Sequence, residues 1–191
     1  MQIDRLEVSF ATSNRDKFLE AQLVLAEYGI TLVFLGSRSA EIQSDSIEEI
    51  ARHSAKSSSS HANSATVVED AGLFIESLNG FPGPYSSFVF RKLGCSGILK
   101  LMDGCANRKA RFVSAVAFCE PSSEPICFTG TVEGVIVAEA RGTYGFGFDP
   151  IFAPDAAGHR TFGEMSTSEK SRYSHRAKAF KEFAQWLLSQ Q

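Results

Sequence analysis

Apolar residues along this chain recur with two periods, and each period marks a different kind of element. Residues 7–12 read as a strand, and from Asp16 onward Phe18, Ala21, Leu25 and Tyr28 fall at helical spacing until Gly29 stops the helix. The chain therefore opens β-α. Residues 30–35 are a near-continuous apolar run, typical of a strand buried on both faces. After a polar loop, Ser46-Ile47-Glu48-Glu49 reads as a capping box that starts a second helix through Ile50, Ala51 and Ala55. The serine-rich tail of that helix, residues 57–60, is too short to link two domains. A strand over residues 65–68 then delivers Glu69 and Asp70 into a glycine turn at Ala71-Gly72, and residues 73–78 predict another strand. Asn79-Gly80-Phe81-Pro82-Gly83-Pro84 is dense turn chemistry, with short helices expected around residues 87–93 and 97–102. Residues 111–119 and 126–132 are β-rich and separated by Pro121-Ser122-Ser123-Glu124-Pro125, which suggests an antiparallel pair, and residues 135–138 predict a third strand. The segment 142–150 is too glycine-rich to be regular. An amphipathic helix from Ser174 closes the chain, with Ala177, Phe180, Ala184, Leu187 and Leu188 on one side.

Composition narrows the field. With 191 residues, 43% apolar and 21% charged, the chain matches one ordinary globular domain spanning residues 1–191. The net charge is −3 and the 19 basic residues are scattered, which argues against a grip on duplex nucleic acid. No apolar stretch approaches a membrane span and the start lacks a leader pattern, so a cytoplasmic location is expected. Cys95, Cys105, Cys119 and Cys127 occur singly, without zinc spacing, and are expected as reduced structural thiols.

Three constellations could carry chemistry. Thr12-Ser13-Asn14-Arg15-Asp16-Lys17 lies where a strand meets a helix start, and free N–H groups there, the helix dipole and Lys17 suit a phosphate. Alternatively Asn14 simply caps the helix and Lys17 is solvated. Glu69 and Asp70, with Glu41 from the earlier loop, suit a hard cation such as Mg²⁺, which takes its remaining ligands from phosphate and water. The other reading is an acidic turn at the sheet rim. Phe146, Phe148 and Asp149 with His175 and Arg176 could hold a keto purine, by stacking, by accepting a ring N–H and by donating to a carbonyl oxygen. Otherwise the phenylalanines are core and His175-Arg176 is a polar first helical turn. Lys170 alone reads as a solvated cation, and His53, His61 and His159 as surface residues.

Taken together, these pieces resemble the inosine triphosphate pyrophosphatase family, also called Ham1-like. The matching segments are Thr12-x-Asn14-x-x-Lys17, Ala40-Glu41-Ile42-Gln43, Glu69-Asp70-x-Gly72-Leu73, Leu78-Asn79-Gly80-x-Pro82-Gly83-x-Tyr85-Ser86, Gly145-Phe146-Gly147-Phe148-Asp149-Pro150-Ile151-Phe152, Thr161-Phe162-x-Glu164-Met165, Glu169-Lys170 and Ser174-His175-Arg176. They cover nearly the whole chain in the family's order. The resemblance implies an α/β fold with a long mixed central sheet, flanking helices and two lobes around a nucleotide cleft. It also implies a homodimer that hydrolyses ITP, dITP and XTP to the monophosphate and pyrophosphate with Mg²⁺. Carried over by position, Thr12, Ser13, Asn14, Arg15, Asp16 and Lys17 would hold the triphosphate. Glu41 and Asp70 would bind metal, Asp70 would activate water, and Glu69 and Lys17 would assist. Ala71, Phe146, Gly147, Phe148, Asp149, Lys170, His175 and Arg176 would enclose the nucleotide. Adenine presents an amino donor where inosine presents an acceptor, so ATP is expected to be poor. Three departures weaken the phosphate grip. Ala71 replaces a usual Ser or Thr, His53 lies where a lysine is common, and Ser87 replaces a base found in some members, leaving Arg91 or Lys56 to compensate. A pyrophosphatase for modified pyrimidine or methylated nucleotides, or a nucleotide-binding module without catalysis, would share much of this pattern.

Overall fold

A computed structural model describes residues 6–36 and 42–190. β1 (Glu7–Ala11), α1 (Arg15–Ala26), β2 (Thr31–Leu35), α2 (Ile47–Ala62) and β3 (Thr66–Ile75) make up the first half. β4 (Pro82–Gly83), α3 (Ser86–Leu101), β5 (Lys109–Cys119), β6 (Ile126–Ile136), β7 (Phe152–Pro154), α4 (Thr167–Lys170) and α5 (His175–Ser189) follow. The seven strands form one sheet in the order β2-β1-β3-β5-β6-β7, with β4 added to β3. β1 runs parallel to β2 and β3, whereas β5, β6, β7 and β4 pair antiparallel. This is the mixed sheet with flanking helices that the resemblance implied.

Local chemistry explains most boundaries. Asn14 Oδ1 accepts from the N–H groups of Asp16 and Lys17 and so caps α1. At α2 only half of the capping box forms: the Glu49 N–H donates to Ser46 Oγ, but the Glu49 carboxylate accepts from Ser44 Oγ instead. The two expected short helices after Pro84 are joined as α3 across a kink at Gly94, whose φ of 62° breaks the helical run.

Two expectations fail, for one reason. β3 does not end at Glu69-Asp70; it continues through Ala71-Gly72, in register with β5 from Thr66↔Cys119 to Ile75↔Ala110. Gly72 is not a turn residue but a point of close approach, since a Cβ there would lie 2.4 Å from the Gly83 carbonyl oxygen of β4. Likewise the strand expected at residues 135–138 is the end of β6, because Gly134 leaves room for the Ala153 carbonyl of β7. In both places glycine admits a neighbouring strand rather than stopping its own.

β3 is the strand on which the site is built. One edge is paired with β5 throughout, while the other is taken by β1 only at Thr66 and Val67 and by β4 at Leu73 and Phe74. Between them, on that second edge, residues 68–72 pair with no strand among the described residues. Apolar packing divides around this gap. One cluster joins Phe10, Leu25, Val67, Phe180 and Phe183 between α1 and α5, and another joins Leu73, Ile75, Ile98, Phe112, Phe152 and Phe162 beneath α3. A third, with Ile47, Ala51, Ala55, Val68, Ala115 and Ala117, seats α2. Side chains alternate along a strand, so Val67 and Glu69 face α5 while Val68 and Asp70 face α2.

Candidate active site

The gap along β3 opens into a cavity of about 940 Å³. Its walls carry residues 12–17, 69–71 and 146–149, together with Lys170, His175 and Arg176. Segments far apart in sequence thus converge as the pattern required. Glu41 lies outside the described residues, although its chain neighbours Ile42 and Gln43 line the cavity.

The adjacent carboxylates of β3 have different fates. Glu69, 7% exposed, points to the α5 side, where Oε1 accepts from Ser114 Oγ at 2.6 Å and Arg176 Nε at 3.1 Å, and Oε2 lies 2.9 Å from Lys17 Nζ. Burial alone would raise its carboxyl, but the charges of Arg176 and Lys17 outweigh burial and hold it far below the usual carboxylate range. With both oxygens matched, Glu69 anchors two cations. Asp70 is half-buried on the α2 side, with Oδ1 accepting the Ala71 N–H at 3.0 Å. Lys17 is not solvated as the capping reading required: besides Glu69 Oε2 it meets the Glu69 carbonyl at 3.2 Å, on the open edge of β3.

Behind the base-binding candidates runs a chain of alternating charge. Lys170, 2% exposed, donates to Asp149 Oδ2 at 2.6 Å and to Glu20 Oε1 at 2.7 Å, and Arg176 Nη1 donates to Glu20 Oε2 at 2.5 Å. Lys170 is therefore a buried member of the site and not the solvated cation that its local sequence suggests. Asp149 Oδ2 also accepts the Phe146 N–H at 2.8 Å, and burial raises its carboxyl against the pull of Lys170. Phe148, 3% exposed, packs in the core edge-on to Phe90, which corrects its expected stacking role. Phe146 remains half-buried at the cavity, with Lys170 and Arg176 near its ring at 4.9 and 5.3 Å.

Glu20 and Ser114 were missed by sequence reasoning. The usable signal for Glu20 was position, since an acid on the Ala21-Val24 face of α1 must be buried and so needs partners. Of the suggested compensating bases, Arg91 lines the cavity, whereas Lys56 is exposed and pairs with Glu124. His53, His61 and His159 are exposed, as expected.

His175 stacks on Phe112 at 4.6 Å with 8° between the rings, and its buried Nδ1 has no hydrogen-bond partner among the described residues. Burial, then the Arg176 and Lys170 charges, push its imidazole well below the ordinary value of 6.5, so it is neutral near pH 7. The unfolded chain takes up a proton at this position below pH 6.5 that the folded chain refuses, so its contribution to stability is full above that pH and lost as pH falls. Chemical denaturation of wild type should lose up to about 1.4 kcal/mol per pH unit below 6.5 from this residue. The His175→Gln variant should lose that component, and equal slopes for the two proteins between pH 6.5 and 5 would refute the assignment.

No group of three or more His, Cys, Asp or Glu side chains among the described residues is placed to hold a metal. The donors nonetheless fit magnesium delivered with a nucleotide, which needs only one or two carboxylates besides phosphate oxygens. Asp70, which lines the same cavity, supplies one.

Comparison with known proteins adds independent information. The profile of the Ham1 family matches residues 8–186. A dITP/XTP pyrophosphatase of Methanopyrus kandleri is 49% identical over 181 residues, covering 95% of this chain and 96% of that protein. A dITP/XTP pyrophosphatase of Thermococcus kodakarensis is 45% identical over 182 residues, covering 95% and 97%. Among solved structures, a HAM1 protein from Coxiella burnetii superposes with a TM-score of 0.84 at 27% identity, covering 96% of this chain and 99% of that one.

Proposed function

Because the chain belongs to the Ham1 family, we propose that it hydrolyses ITP, dITP and XTP to the monophosphate and pyrophosphate, clearing deaminated purines from the nucleotide pool. The observation that carries this reading is the convergence of residues 12–17, Asp70 and the Phe146–Arg176 set on one cavity. A single-segment coincidence would not produce it.

In this reading the triphosphate lies against the start of α1 and the open edge of β3. Lys17, held beside Glu69, offsets charge on the phosphate oxygens, and Asp70 takes the proton of the water that attacks the α-phosphorus. Asp70 and Glu41 would hold a magnesium ion, which when bound supplies phosphate neutralisation and a more acidic water. At the other end His175 Nδ1 is a buried ring nitrogen awaiting a polar partner, and Arg176, whose Nε and Nη1 are committed to Glu69 and Glu20, offers Nη2 to a base carbonyl. Asp149, fixed by Lys170 and the Phe146 N–H, accepts from the ring N–H of the keto purine. An adenine amino group would face donors there, leaving buried groups unmatched.

The same reading includes one catalytic domain over residues 1–191, a free nucleotide rather than nucleic acid as partner, a cytoplasmic location and a homodimer. Exposed apolar side chains at Phe81, Tyr85, Phe88 and Leu93 support assembly, and light scattering at micromolar concentration tests it. No helix among the described residues is long and apolar enough to cross a membrane. The substrate test is pyrophosphate release from ITP, dITP, XTP, dUTP, GTP and ATP, each with Mg²⁺. The expected order puts ITP, dITP and XTP at least about tenfold above ATP in kcat/KM. Best turnover of dUTP or ATP, or tight ITP binding without turnover, would reject the proposal.

A further inference from the structure

We propose that Arg91, braced by Ser87, contacts the substrate directly and clamps the triphosphate from the α3 wall of the cleft. This rests on the pyrophosphatase reading above and adds a residue to it. Among the described residues, the cationic side chains lining the cavity are Arg15, Lys17, Arg91, Lys170 and Arg176. Most are already matched. Lys17 faces Glu69, Lys170 faces Glu20 and Asp149, and Arg176 bridges Glu20 and Glu69. Arg15 lies over the Phe34 ring at 5.3 Å. Arg15 and Arg91 thus have no carboxylate within ion-pair distance among the described residues, and of the two Arg91 is the one held by a hydrogen bond, Nη1 donating to the neutral Ser87 Oγ at 2.6 Å.

That difference matters electrostatically. A cation already beside a carboxylate presents little net field to an incoming polyanion, whereas an unmatched guanidinium presents its full charge. A triphosphate entering this cavity carries several negative charges, more than one divalent ion removes. The position is also suitable. The start of α3 is fixed to β3 where Ser86 Oγ accepts the Leu73 N–H at 2.8 Å, and further along the helix Phe90 meets Phe148 edge-on at 5.3 Å. Arg91 lines the same cavity as residues 12–17 and residues 146–149. Ser87, one turn earlier on the same helix face, fixes one nitrogen of the fork and leaves the others to donate to phosphate oxygens.

The test is steady-state kinetics of the full chain with ITP and Mg²⁺. Arg91→Ala should raise KM about 10- to 100-fold, with a smaller change in kcat and an unchanged melting temperature. Inhibition by inorganic tripolyphosphate should weaken by a similar factor, while binding of inosine, which has base and sugar but no phosphate, stays equal. Arg91→Lys should recover part of the loss, and Ser87→Ala should show an intermediate one. An unchanged KM in an active, folded Arg91→Ala variant overturns this assignment alone, as does an equal weakening of inosine. Failure of the wild type to hydrolyse any deaminated purine nucleotide overturns the parent reading and the Arg91 role with it.

Discussion

Asp70→Asn is expected to lower kcat by about 10²- to 10⁴-fold while the protein stays folded. The substitution keeps size and shape and removes only the negative charge and the basicity. Its site makes this a clean experiment. Asp70 is half-buried on the α2 face of β3, and the Ala71 N–H that its Oδ1 accepts can be accepted equally by an amide oxygen. Arg176 and Lys17 keep their partner Glu69 on the opposite face in the variant. Pyrophosphate release with saturating ITP, alongside circular dichroism and thermal melting, decides the matter. A folded variant with near wild-type turnover removes Asp70 from the chemistry and leaves the water without a base on this strand.

Arg176→Met should destabilise the fold by about 3–5 kcal/mol. Arg176 is 2% exposed and lies between Glu20 and Glu69, so its loss leaves two buried carboxylates sharing only Lys170 and Lys17. Methionine fills much of the volume, so the effect isolates charge rather than packing. The sign with pH follows from Glu69 and Glu20, both held below the ordinary 4.5 with Arg176 among the causes. Their contribution is present above pH 4.5 and lost as pH falls below it, and removing Arg176 reduces that contribution, so the variant should unfold at higher pH during acid titration. Urea denaturation at pH 7 measures the first effect and the acid midpoint the second. An unchanged urea midpoint would mean that water or rearrangement satisfies the two acids without the guanidinium.

Much of this architecture was legible because its signals are local. The α1 cap at Asn14, the kinked helix after Pro84, the antiparallel β5–β6 pair and the closing amphipathic helix all follow from patterns within a few residues. What failed was long-range. Gly72 and Gly134 look like breaks, yet each exists because another strand's carbonyl comes within 2.4 Å of where a Cβ would be, and that neighbour is distant in sequence. The candidate site was recoverable only in part for the same reason. Asp70, Lys17 and Arg176 could be named, but the burial of Lys170 depends on Glu20, 150 residues away, and no local pattern encodes that pairing. Phe148 read as a stacking ring because its glycine-rich surroundings hide that Phe90 covers it.

The opposed orientation of Glu69 and Asp70 sets a rule of parity for β3. Adding or deleting one residue between Thr66 and Asp70 would swap the two acids, turning the aspartate inward to the guanidinium and the longer glutamate out toward the ligand. The aspartate would fall one methylene short of the guanidinium, and the glutamate would extend one methylene past the place of the Asp70 carboxylate. Anyone grafting this catalytic strand into another sheet can vary its length only in steps of two, or must place every insertion beyond Ile75.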